Sequence, residues 1–260
     1  IALAAADGMK VQGIVIDEAT EVLGINDRVQ LAYAERTFQR QLAEQLMLSG
    51  ATLADPARLD VRGRLTVGTD VFIDVGCVFE GEVVLGDRVR VGAHCVIANS
   101  TIDDDSVVHP LPMMTDSVAG PRCEIGPFAR LRPGVELAAK VKVGNFVEMK
   151  KAQVGEGSKV NHLTYVGDAT IGRDVNVGAG TITCNYDGAN KHRTVIGDRA
   201  FIGSGSMLVA PVDIGPDAMI GAGSTVSKNA PAGTLTLERS KQITVPGWQR
   251  PKKKPANQRE

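Results

Sequence analysis

From Val61 to Val226 an aliphatic side chain returns at every sixth position, with glycine, small and polar residues between. The anchors run Val61, Val67, Ile73, Phe79, Leu85, Val91 and Ile97, step to Ile102 and Val108, and resume at Ile125, Leu131, Leu137, Val143 and Met149. After a five-residue step they pass through Val154, Val160, Val166, Ile171, Val177 and Thr183 to a last run from Ile196 to Val226. A helix repeats its buried positions every 3.6 residues and a strand every 2. A period of six fits three short strands per coil, each turning one residue onto a common axis. The pattern predicts an all-β fold, a triangular parallel β-helix over residues 51–236, whose hand the period alone leaves open.

The flanking segments break the pattern. Residues 1–24 read as the end of a helix, a turn at Asp7-Gly8 and a short strand VQGIVI, too little to fold alone and taken as the remnant of a preceding domain. Over 25–50, apolar Val29, Leu31, Ala34, Phe38, Leu42, Leu46 and Met47 fall at helical spacing, which predicts a long amphipathic helix acting as a connecting arm. Residues 237–260 read as a basic tail that carries Arg250, Lys252, Lys253 and Lys254. Inside the prism the period lapses from about Pro110 to Arg122, where two prolines stand close together, and from Asn185 to Arg193. Loops that leave a rigid scaffold are where function concentrates.

Composition agrees with the prism. A thin coil must bend sharply and stack on its neighbours, which suits 29 glycines and 4% aromatic residues. A net charge of −1 gives no reason to expect nucleic-acid or membrane partners. Cys77, Cys95, Cys123 and Cys184 are widely spaced, with no CxxC pair, and read as reduced structural thiols of a cytoplasmic protein. The first sixteen residues, interrupted by Asp7, Gly8 and Lys10, read as neither signal peptide nor membrane span.

Four strings carry more than the repeat: IGPFARLRPG (125–134), VGNFVEMKKA (143–152), HLTYVGDA (162–169) and NVGAGTITCNYDGANKHRT (176–194). With the arm and the ending ERSKQITVPGWQRPKKK, they resemble the acetyltransferase half of the GlmU family, bifunctional bacterial enzymes of UDP-N-acetylglucosamine synthesis. The resemblance implies a left-handed helix, a homotrimer with sites between subunits, and acetyl transfer from acetyl-CoA to the amine of glucosamine 1-phosphate. Such a reaction needs a base for the amine proton, cations for the phosphate, and N–H donors for the thioester oxygen.

The resemblance places the base at His162, where neutral imidazole suits physiological pH. By itself, a single histidine in a solenoid is more often a packed or surface residue. Glu148 could orient the ring or remain a solvated carboxylate, and His94, His109 and His192 receive no role. Arg132, Lys150, Lys191 and Tyr165 match the phosphate and sugar contacts, a set suited to a sugar phosphate. Asn176, Asn185 and Tyr186 match positions for the sugar hydroxyls and amine, with Asn185 and Tyr186 also falling in the cofactor set. Ala179, Ser204, Ala222 and Arg239 match acetyl-CoA contacts, and the Ala179 N–H is the candidate oxyanion donor. The repeated Gly-Ala-Gly and Gly-Ser-Gly triplets have a second reading, as the corners of the solenoid itself.

Asn26 matches a magnesium ligand of the nucleotidyltransferase half of the family. Its partner carboxylate and the nucleotide loop are not found in these 260 residues. Mg2+ is therefore expected only for that other half, and this chain alone is expected not to make UDP-N-acetylglucosamine from UTP. Two other readings stay open: a hexapeptide acyltransferase acting on serine or another amino sugar, which would not need the three cations, and a metal-dependent solenoid of the γ-carbonic-anhydrase type, for which the histidine spacing is wrong.

Overall fold

A computed structural model describes residues 1–250. From Thr52 to Thr236 the chain winds as a left-handed parallel β-helix of hexapeptide repeats. One face of the prism is an eleven-stranded sheet. The other two merge into a fifteen-stranded sheet, because long strands such as Cys77–Leu85 and Glu148–Val154 run through the corner between them. Successive coils stack at 17 or 18 residues through the middle, as in Val91 on Val108, Ile125 and Val143. The expected anchors fill the axis: Ile73, Phe79, Ile97, Ile125, Met149 and Ile202 are all at most 1% exposed.

Corners are turned by residues with positive φ. Many are not glycine, among them Arg88 (φ 57°), Asp105 (φ 59°), Phe128 (φ 56°), Phe146 (φ 56°) and Asp168 (φ 47°). Glycine is required instead where coils touch. A Cβ on Gly178 would lie 2.5 Å from the Ser204 nitrogen, and one on Gly203 would lie 2.4 Å from that of Ala222. The first glycine of the triplets 178–180 and 203–205 is thus demanded by the stacking of coils, whatever else these residues do.

Three sequence expectations need correction. Residues 110–122 do not leave the coil: strands Met113–Thr115 and Ser117–Ala119 continue the ladder, with Met114 and Ala119 as fully buried anchors. A methionine and an alanine in the anchor positions hid the period there. The segment VQGIVI forms no strand, since nothing lies beside it to complete a ladder.

The helix spans Arg28–Leu48, capped by the Asp27 side chain, which accepts from the Gln30 N–H at 2.8 Å. Its buried face is only partly the apolar stripe: Leu46 is buried and Leu42 packs against the core, but Val29, Leu31 and Phe38 are exposed, and Gln39 and Ala43 are buried in their stead. The helix docks there because the first coil presents an open strand edge. Gln39 closes it, its Nε2 donating to the Val61 carbonyl and its Oε1 accepting from the Val61 N–H, each at 2.8 Å.

Candidate active site

The second lapse in the period is a true excursion. Val177 stacks on Ile202, 25 residues later, and the extra length is the hairpin 185–193. Asp187 holds it closed, accepting from the N–H groups of Ala189 and Asn190 at 2.8 and 2.6 Å and meeting His192 Nε2 at 2.6 Å. The Asn190 N–H first, then His192, keep the Asp187 carboxyl well below the usual carboxylate range. At the hairpin's far end Arg193 donates to Gln153 at 2.8 Å and to Thr170, tying the loop to two lower coils. Its tip is set by an antiparallel bridge between Tyr186 and Lys191 and by the Tyr186 hydroxyl, which donates to the Gly188 carbonyl at 2.5 Å.

This hairpin brings Lys191 to Lys150. The Lys191 ammonium, and after it the Arg132 guanidinium, hold Lys150 below the ordinary lysine range. Three cations, Arg132 and Lys150 on adjacent coils and Lys191 on the hairpin that folds back over them, make a ready anion site beside Glu148. Glu148 does not turn toward His162. Its Oε1 accepts from Arg132 Nη1 at 2.8 Å, so it holds the guanidinium. Among the described residues the His162 side chain makes no hydrogen bond; its ring stands exposed at the end of strand Lys159–His162.

His162 belongs to a corner column. The Leu163 N–H donates to the Asn145 carbonyl at 3.0 Å, Gly180 to His162 at 3.2 Å, Gly205 to Ala179 at 2.7 Å and Gly223 to Ser204 at 2.8 Å. His162, Ala179, Ser204 and Ala222 therefore occupy one ridge, each a coil, about 5 Å, beyond the last. The Ala179 N–H donates to no acceptor among the described residues. Past the last strand the chain runs back over this ridge. Glu238 N–H donates to Ser224 Oγ at 3.2 Å, and Arg239 Cδ lies 3.9 Å from where a Gly223 Cβ would stand.

Tyr165 lies on the narrow face between this ridge and the cations, beside Glu148 in register. A Cβ on Gly167 would fall 2.4 Å from its hydroxyl and 2.8 Å from Asn185 Nδ2, so only glycine lets the two meet there. Asn176 is not brought to the cations. It stands on the eleven-stranded face, across the His162 corner, in register with Lys159 and Phe201. Asn26 is exposed beside the helix cap, its N–H donating to Gln30 Oε1 at 2.7 Å, and no cluster of metal-ligating side chains exists among the described residues. The lysines 252–254 lie outside the described residues. Asp168, Asp187 and Gly167 were missed by sequence reasoning; the GD of HLTYVGDA reads as an ordinary turn until the hairpin folds back on it.

The family model for the bacterial transferase hexapeptide (six repeats) matches residues 65–99 and 193–228. The UDP-N-acetylglucosamine acyltransferase of Francisella novicida shares the fold, with a TM-score of 0.51 at 16% identity over 71% of this chain and 66% of that one. Together they define the fold class, a β-helical solenoid built of hexapeptide repeats. Within it, the chain is 58% identical over 252 residues to the bifunctional protein GlmU of Chromobacterium violaceum, and 55% identical over 253 residues to that of Acinetobacter baylyi. Each match takes in 97% of this chain, and 55% and 56% of those proteins. Over the part it spans, about half the length of these relatives, the chain belongs to the GlmU family.

Proposed function

We propose that the chain is an acetyl-CoA-dependent N-acetyltransferase that acetylates the amine of glucosamine 1-phosphate, giving N-acetylglucosamine 1-phosphate for UDP-N-acetylglucosamine synthesis. The observation that carries this reading is the single corner ridge of His162, Ala179, Ser204 and Ala222, one narrow face away from the cations Arg132, Lys150 and Lys191. His162 takes the amine proton, and its exposed ring is free to do so. Arg132, Lys150 and Lys191 hold the phosphate, and Tyr165 and Asn185, with Tyr186 on the hairpin, hold the sugar. Ala179, Ser204, Ala222 and Arg239 line the path of the pantetheine arm, where the small ridge residues leave backbone open and the free Ala179 N–H can meet the thioester oxygen.

Asn176 points the same way only if a neighbouring subunit closes the site, which is the arrangement of a homotrimer with sites between prisms. That assembly is supported by the corner below His162, where Leu111, Phe128, Phe146 and Leu163 stand 45%, 47%, 57% and 64% exposed in four consecutive coils. We read residues 1–24 as belonging to the nucleotidyltransferase half, helix 28–48 as the arm between halves, and Asn26 as part of that half's Mg2+ site. We read the protein as cytoplasmic on the strength of its free, widely spaced cysteines. No described helix is long and apolar enough to cross a membrane.

Release of free CoA thiol on mixing the chain with acetyl-CoA and glucosamine 1-phosphate tests the reading, with glucosamine and serine as parallel acceptors. Release that requires the phosphate supports it. Equal rates with unphosphorylated acceptors would point to a different acyltransferase.

A further inference from the structure

Asn185 is 7% exposed, and its main chain is fixed on both sides. Its N–H donates to the Thr183 carbonyl at 3.0 Å, and its carbonyl accepts from the His192 N–H at 2.8 Å. The one freedom left is which end of the side-chain amide faces outward. Asp168 removes that freedom. Its Oδ2 lies 2.5 Å from Asn185 Nδ2. A carboxylate accepts and cannot donate, so the amide must present its NH2 group to Asp168. The Asn185 Oδ1, for which no hydrogen-bond donor exists among the described residues, is then the atom left to the ligand.

We propose that Asp168 is a positioning residue that locks Asn185 as a hydrogen-bond acceptor, so that the site selects ligand groups bearing N–H or O–H at that point. An amine or sugar hydroxyl satisfies it. A carbonyl or phosphate oxygen aimed at Oδ1 would leave two acceptors facing each other in a nearly buried place, which is strongly disfavoured. The lock sits on the acceptor side of the site: Asn185 Nδ2 and the Tyr165 hydroxyl flank Gly167, which is paired in register with Lys150 of the cation cluster. The inference rests on the proposed reading for the identity of the acceptor.

The backbone chooses the variant. Asp168 has φ 47°, a conformation asparagine tolerates and alanine does not, so Asp168→Asn changes the chemistry without adding strain. An amide at 168 can accept or donate, and Asn185 is no longer forced. Calorimetric binding of glucosamine 1-phosphate and the KM values from thiol release are measured for the wild type and Asp168→Asn, with Tm alongside. The expected result is about a tenfold weaker Kd and higher KM for the sugar phosphate, with Tm held and the acetyl-CoA KM, whose set Asn185 also joins, moving by less. Unchanged sugar-phosphate values, or both KM values and Tm moving together as for a mere structural prop, would overturn the proposal. Wild-type binding without thiol release would sink the acetyltransferase reading while the ratio of Kd values still decides the role of Asp168. Wild type that does not bind the sugar phosphate would overturn both.

Discussion

Lys150 is the residue at which the site's electrostatics are most exposed. Its ammonium is depressed by Lys191 and then Arg132, so the folded chain gives up that proton at a lower pH than the unfolded chain does. Below the folded pKa the mutual repulsion is fully present; as pH rises from there toward the ordinary lysine value, about 10.4, it is relieved, and this group's contribution to stability rises with pH. A bound phosphate acts in the opposite direction, since an anion among three cations favours the charged lysine. The KM for glucosamine 1-phosphate is therefore expected to climb with pH through the alkaline range while that for acetyl-CoA stays flat, and Lys150→Met should raise it at neutral pH and remove the added slope. A pH profile that is the same in the variant would separate Lys150 from phosphate binding. His162 makes the complementary prediction. Because no hydrogen bond ties its ring to the fold, His162→Ala should leave Tm unchanged and lower kcat by about a hundredfold or more, with modest change in either KM. A variant that retains its kcat would remove His162 from the chemistry.

Elements were legible in proportion to how strictly they obey the six-residue period. The aliphatic anchors placed almost every coil, because burial on the axis admits little else. Residues 110–122 escaped since Met114 and Ala119 fill the same position with the wrong residue types, and the prolines of HPLP sit at a corner that has no need of their N–H groups. Candidate site residues could be named where a long string resembled a known family, as at HLTY and CNYDG. What pairs with what was not: Glu148 with Arg132, and Asp168 with Asn185, depend on which coils stack and on where the hairpin returns. The helix 28–48 formed where its spacing placed it, but the apolar pattern picked out only Leu42 and Leu46 of its contact with the prism; the rest runs through Gln39, whose role depends on the open edge of the first coil. Replacing both hydrogen bonds to Val61 with an apolar side chain, as in Gln39→Leu, leaves a buried N–H and C=O without partners and should cost about 2 kcal/mol. In a stack whose coils contact only their neighbours, that loss should appear as faster hydrogen exchange in the first coil, residues 52–67, with the coils around His162 unaffected. Faster exchange throughout would mean the prism unfolds as one unit.

At the scale of the whole molecule the corner that carries His162 changes character along the prism. Toward the C-terminal end it is lined by Gly180, Gly205 and Gly223, whose positive φ is free of strain. Toward the N-terminal end the same corner position is held by Leu111, Phe128, Phe146 and Leu163, with φ of 72°, 56°, 56° and 49°. Bulky residues in that conformation cost roughly 1–2 kcal/mol each, and among the described residues the aromatic stacking that offsets it is that of Phe128 on Phe146 at 5.1 Å. A strained apolar ridge beside the candidate base is accounted for if neighbouring subunits cover it, which is the trimer proposed above. Phe146→Asp separates the strain from the contact: aspartate accepts the left-handed backbone more readily than phenylalanine, so the prism should fold as well or better, while a charge on the ridge opposes its burial. Light scattering should then report a single chain in place of three. Thiol release should fall with it, and mixing with an excess of His162→Ala chain should not restore the activity if the ridge is the seam. A Phe146→Asp protein that keeps both the trimer mass and its activity would move the seam to another face and leave the four strained residues without a physical account.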